Sequence, residues 1–233
     1  MKKLPLCLLL TGLLMLFAVG STYSTAQPKL EFAESILDFG HIGIDYKVFY
    51  NFRFSNAGDA PLEIESVVPS CDCSRTHASA QVIQPGDSGL IRLEFQTRDY
   101  FGPTSQSFTI TSNDPDNPTQ KIFYVSTVGR WIRGIKPDPI YLFFLPGNSP
   151  KKITIANTHF PDLKASLIDQ ADDYFSVKLL KDKASQGEMI EVEVIPGEPP
   201  TPGTHNSNFR LAVDVPDKEE PVILTIPVKI VKY

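Results

Sequence analysis

The stretch that decides the fold class is Val48-Phe49-Tyr50-Asn51-Phe52-Arg53-Phe54-Ser55. Large side chains at every second position, from Val48 to Phe54, share one face of an extended chain. This alternation predicts a β-strand with one face turned towards a hydrophobic core. The next four residues, Asn56-Ala57-Gly58-Asp59, predict a turn because they favour turn conformations.

Similar short runs extend in both directions from this strand and are separated by turn residues. The first half adds strand candidates at Leu30–Phe32, Ile36–Phe39, Leu62–Val68, Leu90–Gln96, Phe108–Ile110 and Ile122–Val128. The second half adds Ile140–Phe144, Lys151–Asn157, Ala165–Asp169, Phe175–Leu180, Met189–Ile195, Phe209–Val215 and Val222–Val231. No helical period interrupts them. The pattern predicts an all-β chain of two tandem immunoglobulin-like β-sandwich domains.

The length of 233 residues is sufficient for two domains of about 100 residues each. The segment Arg130–Pro139 predicts the junction, because Gly134 and two prolines interrupt regular structure there. We therefore expect an N-terminal domain at residues 27–133, which carries the Cys-x-Cys motif, and a C-terminal domain at residues 134–233.

Residues 1–26 have the three parts of a secretory signal peptide. Lys2 and Lys3 are basic, an apolar run extends from Leu6 to Val19, and Ser24-Thr25-Ala26 offers small residues for cleavage. The apolar run is shorter than the about 20 residues that a membrane-spanning helix needs. We expect a periplasmic or extracellular protein with no membrane insertion after the signal is removed.

The exported chain is expected to be acidic. Removing Lys2 and Lys3 leaves 20 basic against 27 acidic residues, a formal net charge of −7. A negative chain without a basic cluster argues against nucleic acid, whose phosphates attract cationic surfaces. The partner that we expect is another protein or a component of the cell envelope.

The two cysteines that remain after export, Cys71 and Cys73, both lie in Pro69-Ser70-Cys71-Asp72-Cys73-Ser74 between two predicted strands. Cysteines outside the cytosol tend to oxidise. Residues two apart in an extended strand have Cα atoms about 6.6 Å apart, so a Cys71–Cys73 disulfide requires a curled backbone. The reduced pair could instead act as redox-active thiols, or hold copper or zinc with His77 as a third ligand.

No arrangement of residues predicts a catalytic site or a bound cofactor. Gly86-Asp87-Ser88-Gly89 resembles a serine-protease motif, but it opens a predicted strand and is better explained as a turn. The segment 113–118 has oxygen ligands for calcium, yet its prolines are typical of a turn. The cluster Asp169, Asp172 and Asp173 is most simply a solvated loop.

Five motifs fall in the order of a known bacterial family: Asp38-Phe39-Gly40, residues 52–62, Pro69-Ser70-Cys71-Asp72-Cys73, Pro85-Gly86-Asp87-Ser88-Gly89 and Thr111-Ser112-Asn113-Asp114-Pro115. Residues 36–129 thereby resemble domain of unknown function fifteen seventy-three, which usually has glycine where this chain has Asp72. The resemblance implies an immunoglobulin-like sandwich, similar to hydin-type and major-sperm-protein-type modules. It also implies export, often in Bacteroidetes-like bacteria, and carries no known activity.

These observations predict a non-enzymatic secreted or periplasmic protein that binds or assembles other proteins. The alternative is thiol-redox chemistry or soft-metal binding at Cys71 and Cys73. The exposure of the two sulfurs discriminates between these functions, because buried sulfurs cannot exchange with thiols or take up a metal.

Overall fold

A computed structural model of the chain describes residues 26–216 and 218–233. The described residues form β-strands and no α-helix, which confirms the predicted all-β class. The predicted signal peptide lies outside the described residues except for Ala26. No helix within those two ranges is long and apolar enough to cross a membrane.

Fourteen of the described strands follow the predicted runs, with longer bounds in several places. Four further short strands were not predicted: Ser74–Ala78, Val82–Ile83, Pro137–Asp138 and Lys183–Ser185. The strands of the first half are β1 Leu30–Phe32, β2 Ile36–Ile42, β3 Lys47–Asn56, β4 Leu62–Pro69, β5 Ser74–Ala78, β6 Val82–Ile83, β7 Ser88–Gln96, β8 Gly102–Ser112 and β9 Thr119–Val128. Those of the second half are β10 Pro137–Asp138, β11 Leu142–Phe144, β12 Lys151–Ala156, β13 Asp162–Gln170, β14 Phe175–Lys181, β15 Lys183–Ser185, β16 Met189–Pro196, β17 Gly203–Asp214 and β18 Val222–Lys232.

The strands form two small sheets and one large sheet. The small sheets have the strand orders β1-β3-β7-β5 and β10-β12-β16-β14. The large sheet has ten strands in the order β15-β13-β17-β18-β2-β9-β8-β4-β6, with β11 also paired to β18. Each half buries its own hydrophobic cluster, so two sandwich cores share one continuous sheet. The layers confirm the β-sandwich prediction, whereas the division into two domains at residue 133 stays a prediction.

The stretch of residues 48–55 packs its predicted face against the core, but Phe49 on the opposite face is also buried, at 6% exposed. Val48 and Phe52 in β3 are 0 % exposed and Phe54 is 1 % exposed. The alternation of β4 fails after Ile64, where the pairing with β8 shifts by one residue. An extra residue at a bulge reverses which side chains face the core, and Val68 is therefore 57 % exposed.

The two halves join where β18 pairs with β2 in parallel, with Leu224 opposite His41. Gly40 in β2 has a φ of +65°, a conformation that strongly favours glycine. A Cβ atom at Gly40 would lie 2.1 Å from the carbonyl oxygen of Ile223. The Thr225 hydroxyl donates a hydrogen bond to the Phe39 carbonyl beside it. The close approach of the two strands therefore requires a residue without a side chain at position 40.

Two arginines also connect the halves. Arg210 in β17 donates hydrogen bonds to the Asp169 carboxylate and, over 2.8 Å, to the carbonyl of Asp38. Arg92 in β7 donates two hydrogen bonds of 3.0 Å to Asp172. The prediction that Asp169 and Asp172 belong to a solvated loop is therefore wrong. Their carboxylates neutralise the cations at the contact between the two halves.

Candidate functional site

The Cys-x-Cys motif forms a turn between β4 and β5. A disulfide joins Cys71 and Cys73, whose Cα atoms are 5.1 Å apart. This separation is shorter than the about 6.6 Å of an extended strand, because the backbone curls at the turn. The turn is closed by a hydrogen bond of 3.3 Å from the Ser74 amide to the Cys71 carbonyl. Both cysteines are half-buried, so neither is sealed inside the core.

A phenol contacts one of the two sulfurs. The Tyr100 hydroxyl donates a hydrogen bond of 3.2 Å to the Sγ atom of Cys73. The side-chain amide of Gln106 donates to the same Tyr100 oxygen over 3.0 Å. Because Gln106 occupies a lone pair of that oxygen, the phenol proton remains free to point at the sulfur.

A second hydroxyl pair lies beneath the disulfide. Ser74 Oγ is 3.7 Å from the Cys73 sulfur and 3.8 Å from the Cys71 sulfur. Its other neighbour is the buried Tyr124 hydroxyl, at 2.5 Å. The sulfurs therefore rest on polar hydroxyl groups at the rim of the core rather than on aliphatic carbon alone.

Burial raises the pKa of Tyr124 to about 12, although the hydrogen bond to Ser74 opposes this shift. Burial, followed by the charge of Asp172, likewise raises the pKa of Tyr174 to about 12. Both pKa values exceed the 10.0 of an exposed tyrosine, so the unfolded chain ionises first. The contribution of the two protonated tyrosines to the stability of the folded chain is therefore fully present below pH 10 and is lost as the pH rises towards 12.

We accordingly expect the free energy of unfolding to fall between about pH 10 and 12, and to fall less in Tyr124→Phe. Denaturant unfolding at a series of alkaline pH values measures the change. Tyr233→Phe is the matched control, because the Tyr233 side chain is 86% exposed and removing its hydroxyl changes no buried group. An unchanged free energy of unfolding across this interval would contradict the buried placement of Tyr124.

Charged side chains surround a small cavity next to the disulfide. The cavity has a volume of about 220 Å³ and is lined by Lys47, Asp72, Cys73, Arg75, Glu94, Gln96 and Arg98. Lys47 forms an ion pair of 2.6 Å with Glu94, and Arg98 forms one of 3.0 Å with Asp45. Arg75 is exposed and forms no ion pair with any residue of the described ranges.

The structure does not bring His77 to the two sulfurs. His77 lies four residues after Cys73 along extended chain, which places the Cα atoms about 13 Å apart at ~3.3 Å per residue. A zinc or copper ion needs ligand atoms within about 2.3 Å. Across residues 26–216 and 218–233, no three His, Cys, Asp or Glu residues converge as metal ligands. Copper or zinc binding by Cys71, Cys73 and His77 stays a prediction for the reduced chain.

The disulfide turn leads directly into an open sheet edge. β5 pairs with β7 on one side, and no described strand pairs with its other side. The flanking bonds from Gln96 N to Cys73 O and from Ser79 N to Leu90 O fix the hydrogen-bonding register. In an antiparallel pair such bonds recur at every second residue. Arg75 and His77 therefore bond to β7, whereas the backbone groups of Thr76 and Ala78 point outwards.

Most other edges in the described part of the chain are short or protected. The exception is β4, which pairs with β6 only at Leu62 and Glu63 and lies beside β5, where the Thr76 hydroxyl donates a hydrogen bond of 3.0 Å to the Val67 carbonyl. β1, β6, β10 and β15 have two or three residues each. β14 has seven residues, but it carries Lys178 and Lys181 and its pairing shifts between Leu179 and Lys181. Lysines and bulges on an edge strand oppose the addition of another strand. β5 has five residues and no such bulge.

The fold and this site define a β-sandwich protein with a disulfide turn at the start of an open edge strand. Residues 30–127 match the model of a family described as "Protein of unknown function (DUF1573)". The match confirms the family resemblance of the first half, and it ends before the second core. No curated protein matches the sequence.

Several solved structures are similar to the chain at low sequence identity. A protein of unknown function from Porphyromonas gingivalis W83 is 10% identical with a TM-score of 0.35, covering 87% of this chain and 99% of that chain. PapD-like domain 7 of human CEP192 is 10% identical with a TM-score of 0.34, covering 47% and 92%. WR4, a C. elegans MSP family member, is 11% identical with a TM-score of 0.31, covering 43% and 98%.

Proposed function

We propose that the chain is an exported, non-enzymatic module that binds another protein by adding a strand of that partner to β5. The observation that carries this proposal is the outward-facing backbone of Thr76 and Ala78. Unpaired N–H and C=O groups on an edge strand form a template for an extended peptide. Export is supported by the predicted signal peptide, and the sulfurs are expected to oxidise in that compartment.

The surroundings of the edge favour a specific partner over general aggregation. β5 is short and polar, and its outward side chains include the exposed Arg75 and His77. The side chains of an added strand would lie beside the Arg75 guanidinium and the His77 imidazole. We expect the partner segment to be extended and to carry an acidic residue opposite Arg75, because an opposite charge stabilises a cross-strand pair.

We expect Ala78→Pro to abolish partner capture. Proline at this position removes an outward N–H and leaves the bonds to β7 intact. Ala78→Val is the matched control, because valine is similar in volume to proline and keeps the backbone N–H. The measurement is affinity capture from a cell-envelope extract, followed by quantification of each retained protein on the three baits.

A protein retained by the natural chain and by Ala78→Val, but lost with Ala78→Pro, supports strand addition. Thermal unfolding must show that Ala78→Pro is folded, since β5 packs beside the core. Equal retention on all three folded baits would place the partner elsewhere and contradict the proposal. The absence of any protein enriched over an empty matrix would also count against it.

A further inference from the structure

We propose that the Cys71–Cys73 disulfide exchanges with the thiols of other exported proteins, with Cys71 as the attacked sulfur and Cys73 as the leaving group. This activity goes beyond strand binding at β5 and does not require it. The two sulfurs are half-buried, adjacent and held by a defined set of polar groups.

The leaving group is assigned by the phenol that contacts it. When the bond breaks, the sulfur that leaves carries a negative charge. The Tyr100 hydroxyl already donates to Cys73 Sγ over 3.2 Å, and Gln106 holds that hydroxyl from its other side over 3.0 Å. A hydrogen bond to a charged acceptor is stronger than one to a neutral acceptor. Tyr100 therefore stabilises the thiolate more than the disulfide and favours departure from Cys73.

The attacked sulfur is assigned by packing. Cys73 packs against the hydrophobic cluster of the first half, and Cys71 is not part of that contact. Cys71 lies in the turn between the exposed residues Ser70 and Asp72. Cys73 also lines the charged cavity. Cys71 is therefore assigned as the attacked sulfur because it lies outside the core contact, and Cys73 as the leaving group because Tyr100 donates to it.

The reduced pair is held ready to form the bond again. The Gln96 amide donates to the Cys73 carbonyl over 2.8 Å, and the Ser74 amide donates to the Cys71 carbonyl over 3.3 Å. Neither bond involves a sulfur atom, so both persist after reduction. A bridge between residues two apart also closes a very short loop, which restrains little of the unfolded chain. The stability of the fold therefore depends little on the disulfide, and the disulfide can be reduced and formed again while the chain stays folded.

The exchange balances as a two-electron transfer with a dithiol protein as reductant. A thiolate of the partner attacks Cys71 Sγ, the Cys71–Cys73 bond breaks, and Cys73 leaves with the bonding pair. The second thiolate of the partner then attacks the partner sulfur of the mixed disulfide, and Cys71 leaves. The partner gains a disulfide, Cys71 and Cys73 become reduced, and they take up the two protons that the partner loses.

Tyr100→Phe tests the positioning role of the phenol. The variant keeps the ring that packs on Phe95 and removes only the hydroxyl. We expect the rate of exchange with a synthetic dithiol peptide to fall about tenfold, the effect of one lost hydrogen bond to a charged sulfur. The pH midpoint of the closing step, in which the Cys73 thiolate attacks the mixed disulfide at Cys71, should rise in the same variant. Tyr141→Phe is the matched control, because the Tyr141 ring packs against Tyr46 and its hydroxyl is not the one that contacts a sulfur.

Single cysteine variants test which sulfur is attacked. Incubated with oxidised glutathione, Cys73→Ser is expected to accumulate a stable mixed disulfide at Cys71, whereas Cys71→Ser reacts far more slowly. Intact-mass measurement reports both products. Preferential trapping by Cys71→Ser would reverse the assignment and overturn it. An exchange rate in Tyr100→Phe equal to that of the natural chain, or no exchange by the folded natural chain, would also overturn the proposal.

Discussion

Gly40→Ala is expected to destabilise the cores of both halves together, by about 2 to 4 kcal/mol. The positive φ of +65° costs an alanine about 1 kcal/mol. The added methyl group would also meet the Ile223 carbonyl at 2.1 Å, a distance at which the backbone of β18 must move. Displaced backbone in a packed interior costs a further 1 to 3 kcal/mol or so. Denaturant unfolding, followed by probes in each half, measures the loss.

Gly86→Ala is the matched control, because alanine there has the same backbone strain of a positive φ but no steric clash with a neighbouring strand. Gly86 has a φ of +80°, and a Cβ atom there would meet nothing within 4 Å. We expect it to lose about 1 kcal/mol, the cost of the positive φ alone. Equal losses in the two variants would mean that β2 and β18 do not lie as close as described. Two separate transitions in Gly40→Ala would show that the halves unfold independently.

Asp169→Asn is expected to lower the free energy of unfolding by about 3 kcal/mol, because it leaves the buried Arg210 guanidinium without its counter-charge. The Arg210 side chain is only 8% exposed, and Asp169 is its ion-pair partner. Its guanidinium also lies over the Tyr50 ring, 4.8 Å from the centroid. Removing one member of a buried pair leaves an uncompensated charge, whereas replacing both members with apolar residues is often neutral. Arg210→Leu combined with Asp169→Leu should therefore recover most of the loss.

Asp172→Asn provides the comparison for a more exposed pair. The Arg92 side chain is 35% exposed, so water can compensate for much of a lost carboxylate. We expect Asp172→Asn to cost about 1 kcal/mol or less. A double-mutant cycle on Asp169 and Arg210, measured by denaturant unfolding, isolates the energy of the pair. Equal effects of the two asparagine substitutions would contradict the buried placement of Arg210.

Most of the described strands were predictable because each signal is local, whereas the short polar strand β5 has no apolar alternation and was not predicted. The alternation from Val48 to Phe54 specifies which side chains face the core, whatever the rest of the chain does. The shared sheet was not predictable, because the pairing of β2 with β18 joins residues far apart in sequence. Side-chain patterns within a strand do not specify which strand lies beside it. Gly40 belongs to a motif that the sequence analysis recognised. Glycine is required there because the Ile223 carbonyl lies too close for a side chain, and only the structure shows this contact.

The candidate site was predictable only at its cysteines. Cys71 and Cys73 were recognised from their spacing and from the predicted export. Tyr100 and Gln106 were not, because a loop after β7 and the strand β8 bring them to the sulfur from a distance in sequence. The role of His77 as a third metal ligand stays a prediction, because its position four residues along an extended strand places its Cα atom about 13 Å from that of Cys73 at ~3.3 Å per residue.

Hydrogen exchange of individual amides in the free protein tests the open edge most directly. The register of β5 places the Arg75 and His77 amides in bonds to β7 and leaves the Thr76 and Ala78 amides pointing outwards. We predict slow exchange at the Arg75 and His77 amides and fast exchange at the Thr76 and Ala78 amides. Slow exchange at all four positions would show that the edge is already covered, and it would contradict strand addition at β5.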